Sequence, residues 1–332
     1  MKKKILIAIP ILLIIAYLVG PRIPAPELDP NIPLLTLTGE LLEAHIQNTE
    51  SRTENIRDDN EARILWADET QKTKTEYALV YLHGFSASQG EGIPLHRNFA
   101  IRYGCNTYLP RLYGHGIHTE NALEDMTPEN LLHTAKEAIA IGRQLGKKVI
   151  LMSTSTGGTI SLYLAAHNPD IHSLIMLSPS IEINNPAAFL LADPWGVQIG
   201  RLVAGGKNLV YSWENPGDSL YWTKSYRVEG AAYLQALVET TMREEIFNAV
   251  KQPVFMGYYY KNEEEQDDVV RVDALLNMFD QLGTSEEMKR KLAFPETGTH
   301  VIGCEYRSKD WEGVQQAVWD YMEEVLNLEP VF

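Results

Sequence analysis

The chain has 332 residues, 45% of them apolar and 22% charged, with a formal net charge of −15. That length suits one large α/β unit, and the composition is globular rather than disordered or fibrous. A surface this acidic repels phosphate backbones, which argues against a nucleic-acid partner.

The N-terminus differs from the rest. "MKKK" precedes "ILIAIPILLIIAYLVG", a 16-residue run without charge. Its length falls between a signal-peptide core and a full membrane span. Cleavage after Gly20 would need a small residue where Leu18 stands, and Pro21 follows. Residues 1–20 are therefore expected to form an uncleaved anchor; a cleaved signal and a helix packed on the domain are the alternatives. The lysines before the run, against Arg22 after it, predict an inside N-terminus and a domain on the extracytoplasmic side. Next, "GPRIPAPELDPNIP" holds five prolines in 14 residues, so residues 21–38 are expected to be an extended stalk below a domain spanning 39–332.

Residues 39–52 read as a polar-faced helix, and "ARILWAD" (62–68) as a strand near a sheet edge. "EYALVYL" (76–82) is a continuous apolar run, the mark of a strand buried on both faces. "CNTYLPRL" (105–112) is a further strand. Thr127 and Pro128 open a helix reaching about Leu145. "KKVILM" (147–152), "IHSLIMLS" (171–178), "KQPVFMGYYY" (251–260) and "KRKLAFPE" (289–296) read as strands, with helices after 155, near 271–282 and over 310–327. This alternation predicts an α/β fold: a mostly parallel sheet with helices on both faces. Residues 181–246 break the rhythm without a clear strand and are read as a cap inserted over the strand ends. Cys105 and Cys304 fall at opposite ends of parallel strands and are expected to be free thiols.

The stretch "MSTSTGGT" (152–159) joins a buried strand to a helix. A serine in such a strained turn projects its Oγ at the top of the sheet and requires small residues two places either side. Ser155 has Ser153 and Gly157 there; Ser153 would have Leu151, which is too large. Ser155 is therefore the candidate nucleophile, although a plain helix-capping serine fits this stretch alone. Such a nucleophile needs a base, a carboxylate and an oxyanion hole. In "YLHGFSAS" (81–88) the His-Gly turn brings the backbone close, so the Phe85 N–H and the Thr156 N–H can serve an oxyanion. "GTHVIG" (298–303) places His300 after the last strand, and "EEEQDDVV" (263–270) places Asp267 and Asp268 after the one before.

With "HGF" (83–85), "LYGHG" (112–116), "STSTGG" (153–158), "DDVV" (267–270) and "GTHVIG", the chain resembles the α/β-hydrolases, nearest to serine esterases and lipases of the monoacylglycerol lipase type. The resemblance runs from about Tyr77 to the C-terminus. It implies a Ser155–Asp267–His300 triad, the family's D-x-V-V pattern selecting Asp267 over Asp268, and acyl transfer through an acyl-enzyme on carboxylic esters. His83 and His115 match positions that shape loops, and His118 has no carboxylate at useful spacing. His45, His96, His133, His167 and His172 read as surface or helix histidines. No HExxH, CxxC or carboxylate cluster points to a metal, and no G-x-G-x-x-G follows the first strand, so no cofactor is expected. Three readings stay open: an ester hydrolase, an acyltransferase with the same triad, and a non-catalytic scaffold that binds a ligand or partner.

Overall fold

The computed structural model describes residues 14–211 and 216–331. After a helical turn at 14–18, the chain forms α1 (Gly39–Glu50), β1 (Arg63–Leu65), β2 (Thr75–Leu82), α2 (Leu95–Tyr103), β3 (Asn106–Leu109), α3 (Pro128–Leu145), β4 (Gly146–Thr154), α4 (Thr156–His167) and β5 (Ile171–Leu177). Then come α5 (Gly196–Val203), β6 (Asn208–Val210), α6 (Pro216–Tyr221), β7 (Ser225–Arg227), α7 (Val228–Thr241) and α8 (Glu244–Ala249). The regular structure ends with β8 (Val254–Tyr258), α9 (Val272–Gln281), β9 (Lys289–Ala293) and α10 (Trp311–Glu324).

Seven strands form one sheet in the order β1-β3-β2-β4-β5-β8-β9. β1 is an antiparallel edge strand and every other neighbouring pair is parallel. The continuous apolar runs sort by strand alternation. Ala78, Val80, Leu151, Leu174 and Met176 face a core shared with α3, α4 and α9. Leu79, Tyr81, Ile150, Met152 and Ile175 face the opposite core, filled by Phe99 of α2 and by Val318 and Tyr321 of α10. Helices thus cover both faces. Burying each of these Leu or Val side chains stabilises the fold by about 1.5–3 kcal/mol relative to exposure.

The order also locates a crevice. From β2 the sheet grows one way to β3, and from β4 the other way to β5, β8 and β9. The carboxyl ends of β2 and β4, paired at Leu82 and Ser153, are therefore the switch point where such sheets place their ligands.

Two sequence expectations come out differently in detail, and a third, the anchor, falls largely outside the described residues. The region read as a strandless cap contains a two-stranded antiparallel pair, Asn208–Val210 with Ser225–Arg227, and its Tyr226 and Leu237 join the main core. Residues 21–38 form no helix or strand, as their prolines demand, but they are not a free spacer. Leu28, Ile32, Leu35 and Leu37 pack against the core. Lys136 and Asp29 pair at 2.8 Å, and Gln144 Nε2 donates to the Leu35 carbonyl at 2.7 Å. Among the described residues no helix is long and apolar enough to cross a membrane. The expected anchor falls largely on residues 1–13, which lie outside the described residues; what is described of it reaches the cap, where Trp195 Nε1 donates to the Ala16 carbonyl at 3.0 Å.

Cys105 and Cys304 are free, buried thiols. They sit in separate apolar clusters.

Candidate active site

β4 ends at Thr154 and α4 begins at Thr156, leaving Ser155 alone in the turn with φ 53° and ψ −118°. A positive φ on a serine is strained, and such strain persists only where the surroundings enforce it. Here Ser155 N–H donates to the Leu177 carbonyl at 3.1 Å, while its own carbonyl accepts from Gly158 N–H at 2.8 Å and Ser180 N–H at 3.0 Å. A Cβ on Gly157 would lie 1.9 Å from the Leu82 carbonyl oxygen, so only glycine lets the helix start against β2. Ser153 is fully buried, with its Oγ 3.5 Å from the Ile175 carbonyl. The serine presented by the turn is Ser155.

The His83-Gly84-Phe85 turn follows β2 directly. Leu112 N–H donates to His83 Nε2 at 3.1 Å, so the ring proton is on Nδ1 and donates to the Gly84 carbonyl at 3.0 Å. Burial, then the neighbouring His115, holds the His83 pKa well below its usual value, which keeps the ring neutral in this role. His115 is likewise pushed down by burial, to about 4. Ala87 N–H reaches the same Gly84 carbonyl at 3.3 Å. In a trans peptide the C=O and the following N–H point opposite ways, so fixing the Gly84 carbonyl from one side directs the Phe85 N–H to the other. Thr156 N–H is the first amide of α4 and has no intrahelical acceptor. Phe85 itself packs edge-on against Tyr226 of β7, ring centroids 4.8 Å apart, so the cap roofs this turn.

His300 lies in the loop after β9. Its Nδ1 is 2.7 Å from Asp267 Oδ2. The other carboxylate oxygen, Oδ1, accepts from Val269 N–H at 2.9 Å and Val270 N–H at 3.0 Å. These bonds orient the carboxylate. Asp267 is 2% exposed, whereas Asp268 is exposed and offers its backbone carbonyl to Asn184. Burial lowers the His300 pKa, but the charge and hydrogen bond of Asp267, with Glu91 and Asp268, outweigh it and leave the ring above its usual value.

His300 Nε2 is buried and has no hydrogen-bond partner among the described residues. No hydrogen bond joins it to Ser155 Oγ among those residues either. Such contacts are often long before substrate binds.

The sequence-selected residues thus divide cleanly: Asp267 and His300 are paired, while Ser155, Phe85 and Thr156 sit at the adjoining strand ends. His118 stays outside, its backbone bonded to Asn55. His96 is a helix histidine, in α2, and is fully buried, with Nε2 2.8 Å from the Gln89 carbonyl. Glu91, close to Ser155, went unnoticed in the sequence.

Among the described residues no group of three or more His, Cys, Asp or Glu could hold a metal ion. A cavity of about 870 Å³ lies between α1 and the 110–125 loop, lined by Glu50, Tyr108 and Arg111 among others; none of the sequence-selected residues lines it.

Comparison with known proteins agrees with this fold. A thermostable monoacylglycerol lipase of Bacillus sp. (strain H-257) is 32% identical over 110 residues, which is 33% of this chain and 43% of the relative. The chain therefore matches less than half the length of that relative. Among solved structures, one from a study of the metagenome-derived lipolytic enzymes LipS and LipT superposes with a TM-score of 0.66 at 17% identity, covering 81% of this chain and 100% of that one. The monoacylglycerol lipase of Paleococcus ferrophilus gives 0.55 at 15% identity, covering 79% and 98%. At such identities these structures speak to the fold. The profile of the alpha/beta hydrolase family matches residues 79–310, a span that holds the serine turn, the His-Gly turn, Asp267 and His300, and the chain belongs to that family.

Proposed function

We propose that this protein is a serine hydrolase that cleaves carboxylic esters through an acyl-enzyme on Ser155. The observation that carries the reading is the buried 2.7 Å Asp267–His300 pair, whose Nε2 is left open at the strand ends where Ser155 is held in its strained turn.

In the first step His300 Nε2 takes the Ser155 proton as Oγ attacks the ester carbonyl. Asp267 holds the remaining ring proton on Nδ1 and stabilises the imidazolium. The amides of Phe85 and Thr156 donate to the oxyanion. His300 then protonates the departing alcohol. In the second step water, deprotonated by the same nitrogen, attacks the acyl-enzyme and frees Ser155.

Lipid acyl esters are the substrate class supported best. The matching relative is named a monoacylglycerol lipase, and the cap displays apolar side chains, with Leu202 81% and Val203 82% exposed. A fluorophosphonate probe followed by peptide mapping tests the reading: one adduct is expected, on Ser155. An unlabelled protein, or an adduct elsewhere, would sink it. Hydrolysis of esters of rising chain length then reads the preference for lipid.

The uncharged N-terminal run supports a further part of the proposal, that the protein is held at the membrane with this domain on the extracytoplasmic side. The full chain is expected in the membrane fraction and accessible to protease added to spheroplasts; recovery in the soluble fraction would refute it.

A further inference from the structure

One buried carboxyl beside Ser155 has no part in the triad. Glu91 is 3% exposed. Its Oε2 accepts from Gly84 N–H at 2.6 Å and from the Tyr81 hydroxyl at 3.3 Å. Tyr81 also shares a 3.0 Å hydrogen bond with the hydroxyl of Thr154, the residue before Ser155. A Cβ built on Gly84 would lie 2.9 Å from Glu91 Oε1 and 3.1 Å from Ser155 Cβ. The carboxyl and the serine therefore face each other across this one glycine, and any side chain at position 84 would part them.

We propose that Glu91 is a positioning residue of the hydrolase, holding the His-Gly turn through the Gly84 N–H so that the Phe85 N–H faces the reacting carbonyl, and bringing its charge to the His300 side of the site. The inference rests on the reading of Ser155 and His300 as nucleophile and base.

Gly84 is gripped from both sides: Glu91 holds its N–H, while His83 and Ala87 hold its carbonyl. The peptide that carries the Phe85 N–H is held directly through the Gly84 carbonyl, and Glu91 pins the peptide before it, so both peptides flanking the Gly84 Cα are fixed. An unpaired buried carboxylate is costly, so a group retained here with one amide and one hydroxyl for partners has a local use.

The charges around it are few. Tyr81 faces Glu91 from β2, His300 from the loop after β9, and Cys304 and Arg307 from the segment beyond. Burial pushes the Glu91 carboxyl up to about 7, against the Gly84 amide and the charge of His300. On the His300 side, the charged neighbours are Asp267, Glu91 and Asp268. The sign follows. An ionised Glu91 favours imidazolium, so it holds the proton on His300 to higher pH. The base must be neutral to accept from Ser155, so Glu91 moves the acid limb of kcat/KM upward.

The test compares kcat/KM against pH in wild type and Glu91→Gln. Glutamine keeps an oxygen for the Gly84 N–H and removes only the charge. The acid limb of the variant is expected to lie up to about one pH unit lower; the difference is read near neutral pH, where wild-type Glu91 is ionised, and closes well below it, where Glu91 itself takes up a proton. Glu91→Ala, which also releases Gly84, is expected to lose plateau activity as well. Superimposable normalised profiles for wild type and Glu91→Gln, both labelled by fluorophosphonate, would overturn the inference and leave the hydrolase reading standing. An unlabelled wild type would remove both. Should the glutamine variant not fold, Glu91→Asp decides the matter, because its shorter carboxyl keeps the charge but draws back from the Gly84 N–H: a lowered plateau kcat supports the role, and a wild-type plateau overturns it.

Discussion

Replacing Ser155 by alanine is expected to lower kcat by about 10⁶, the scale of losing the nucleophile in a well-studied serine protease. The loss should come without unfolding. The turn is enforced by backbone bonds from Leu177, Gly158 and Ser180, and these do not involve the side chain. Thermal melting should therefore stay near that of wild type. Ser153→Ala is the control. Its hydroxyl is buried in β4 and reaches only the Ile175 carbonyl, at 3.5 Å, so its removal should cost about 1 kcal/mol of stability or less and little activity. An inactive Ser153→Ala beside an active Ser155→Ala would show the turn to be assigned in the wrong register.

Asp267→Asn is expected to lower kcat by about 10⁴, the cost of a wrong imidazole tautomer in such a triad. The local geometry gives the reason. Oδ1 accepts two amide protons, from Val269 and Val270. In the asparagine variant the oxygen must remain there, which turns the NH₂ group toward His300 Nδ1. That nitrogen must then accept, the ring proton moves to Nε2, and Nε2 can no longer take the proton of Ser155. Asp268→Asn has no such route, because Asp268 is exposed and bonds through its backbone; losing its charge should shift the acid limb slightly and little else. Steady-state kinetics on both variants decide the matter, and equal losses would remove the assignment of Asp267.

Much of this was legible in the residues because it depends on short-range sterics. Uninterrupted apolar runs marked the central strands, and small flanking residues chose Ser155 over Ser153. Thr127 caps α3 as read, its hydroxyl accepting from Asn130 N–H at 3.2 Å. Other parts needed contacts that only the fold creates. α2 went unassigned between two strands, although Leu95 and Phe99 recur at helical spacing and Gly104 ends the helix at φ 56°. β6 and β7 are three residues each, too short for a visible alternation. Residues 21–38 form no helix or strand, and Leu28, Ile32, Leu35 and Leu37 are the apolar residues that dock this segment on the core. Glu91 carried no signal, since "SASQGEG" looks like a solvated loop and its burial comes from Tyr81, Gly84 and the segment beyond His300.

The cap lies between β5 and β8, so it also separates the site's components in time. During synthesis the chain emerges N-terminal end first, at about 5–20 residues per second. β2, β3, β4 and β5 are neighbours in the sheet and can pair as soon as β5 has left the ribosome. By then the His-Gly turn and Ser155 are both in hand. Asp267 and His300 follow only after the whole cap, several seconds later at that rate, and His300 needs β9 added at the sheet edge. A nascent or truncated chain thus carries the proposed nucleophile, Ser155, without the proposed base, His300. Under the proposed mechanism, the order of the strands leaves the site unassembled until β9 and the loop after it have been made.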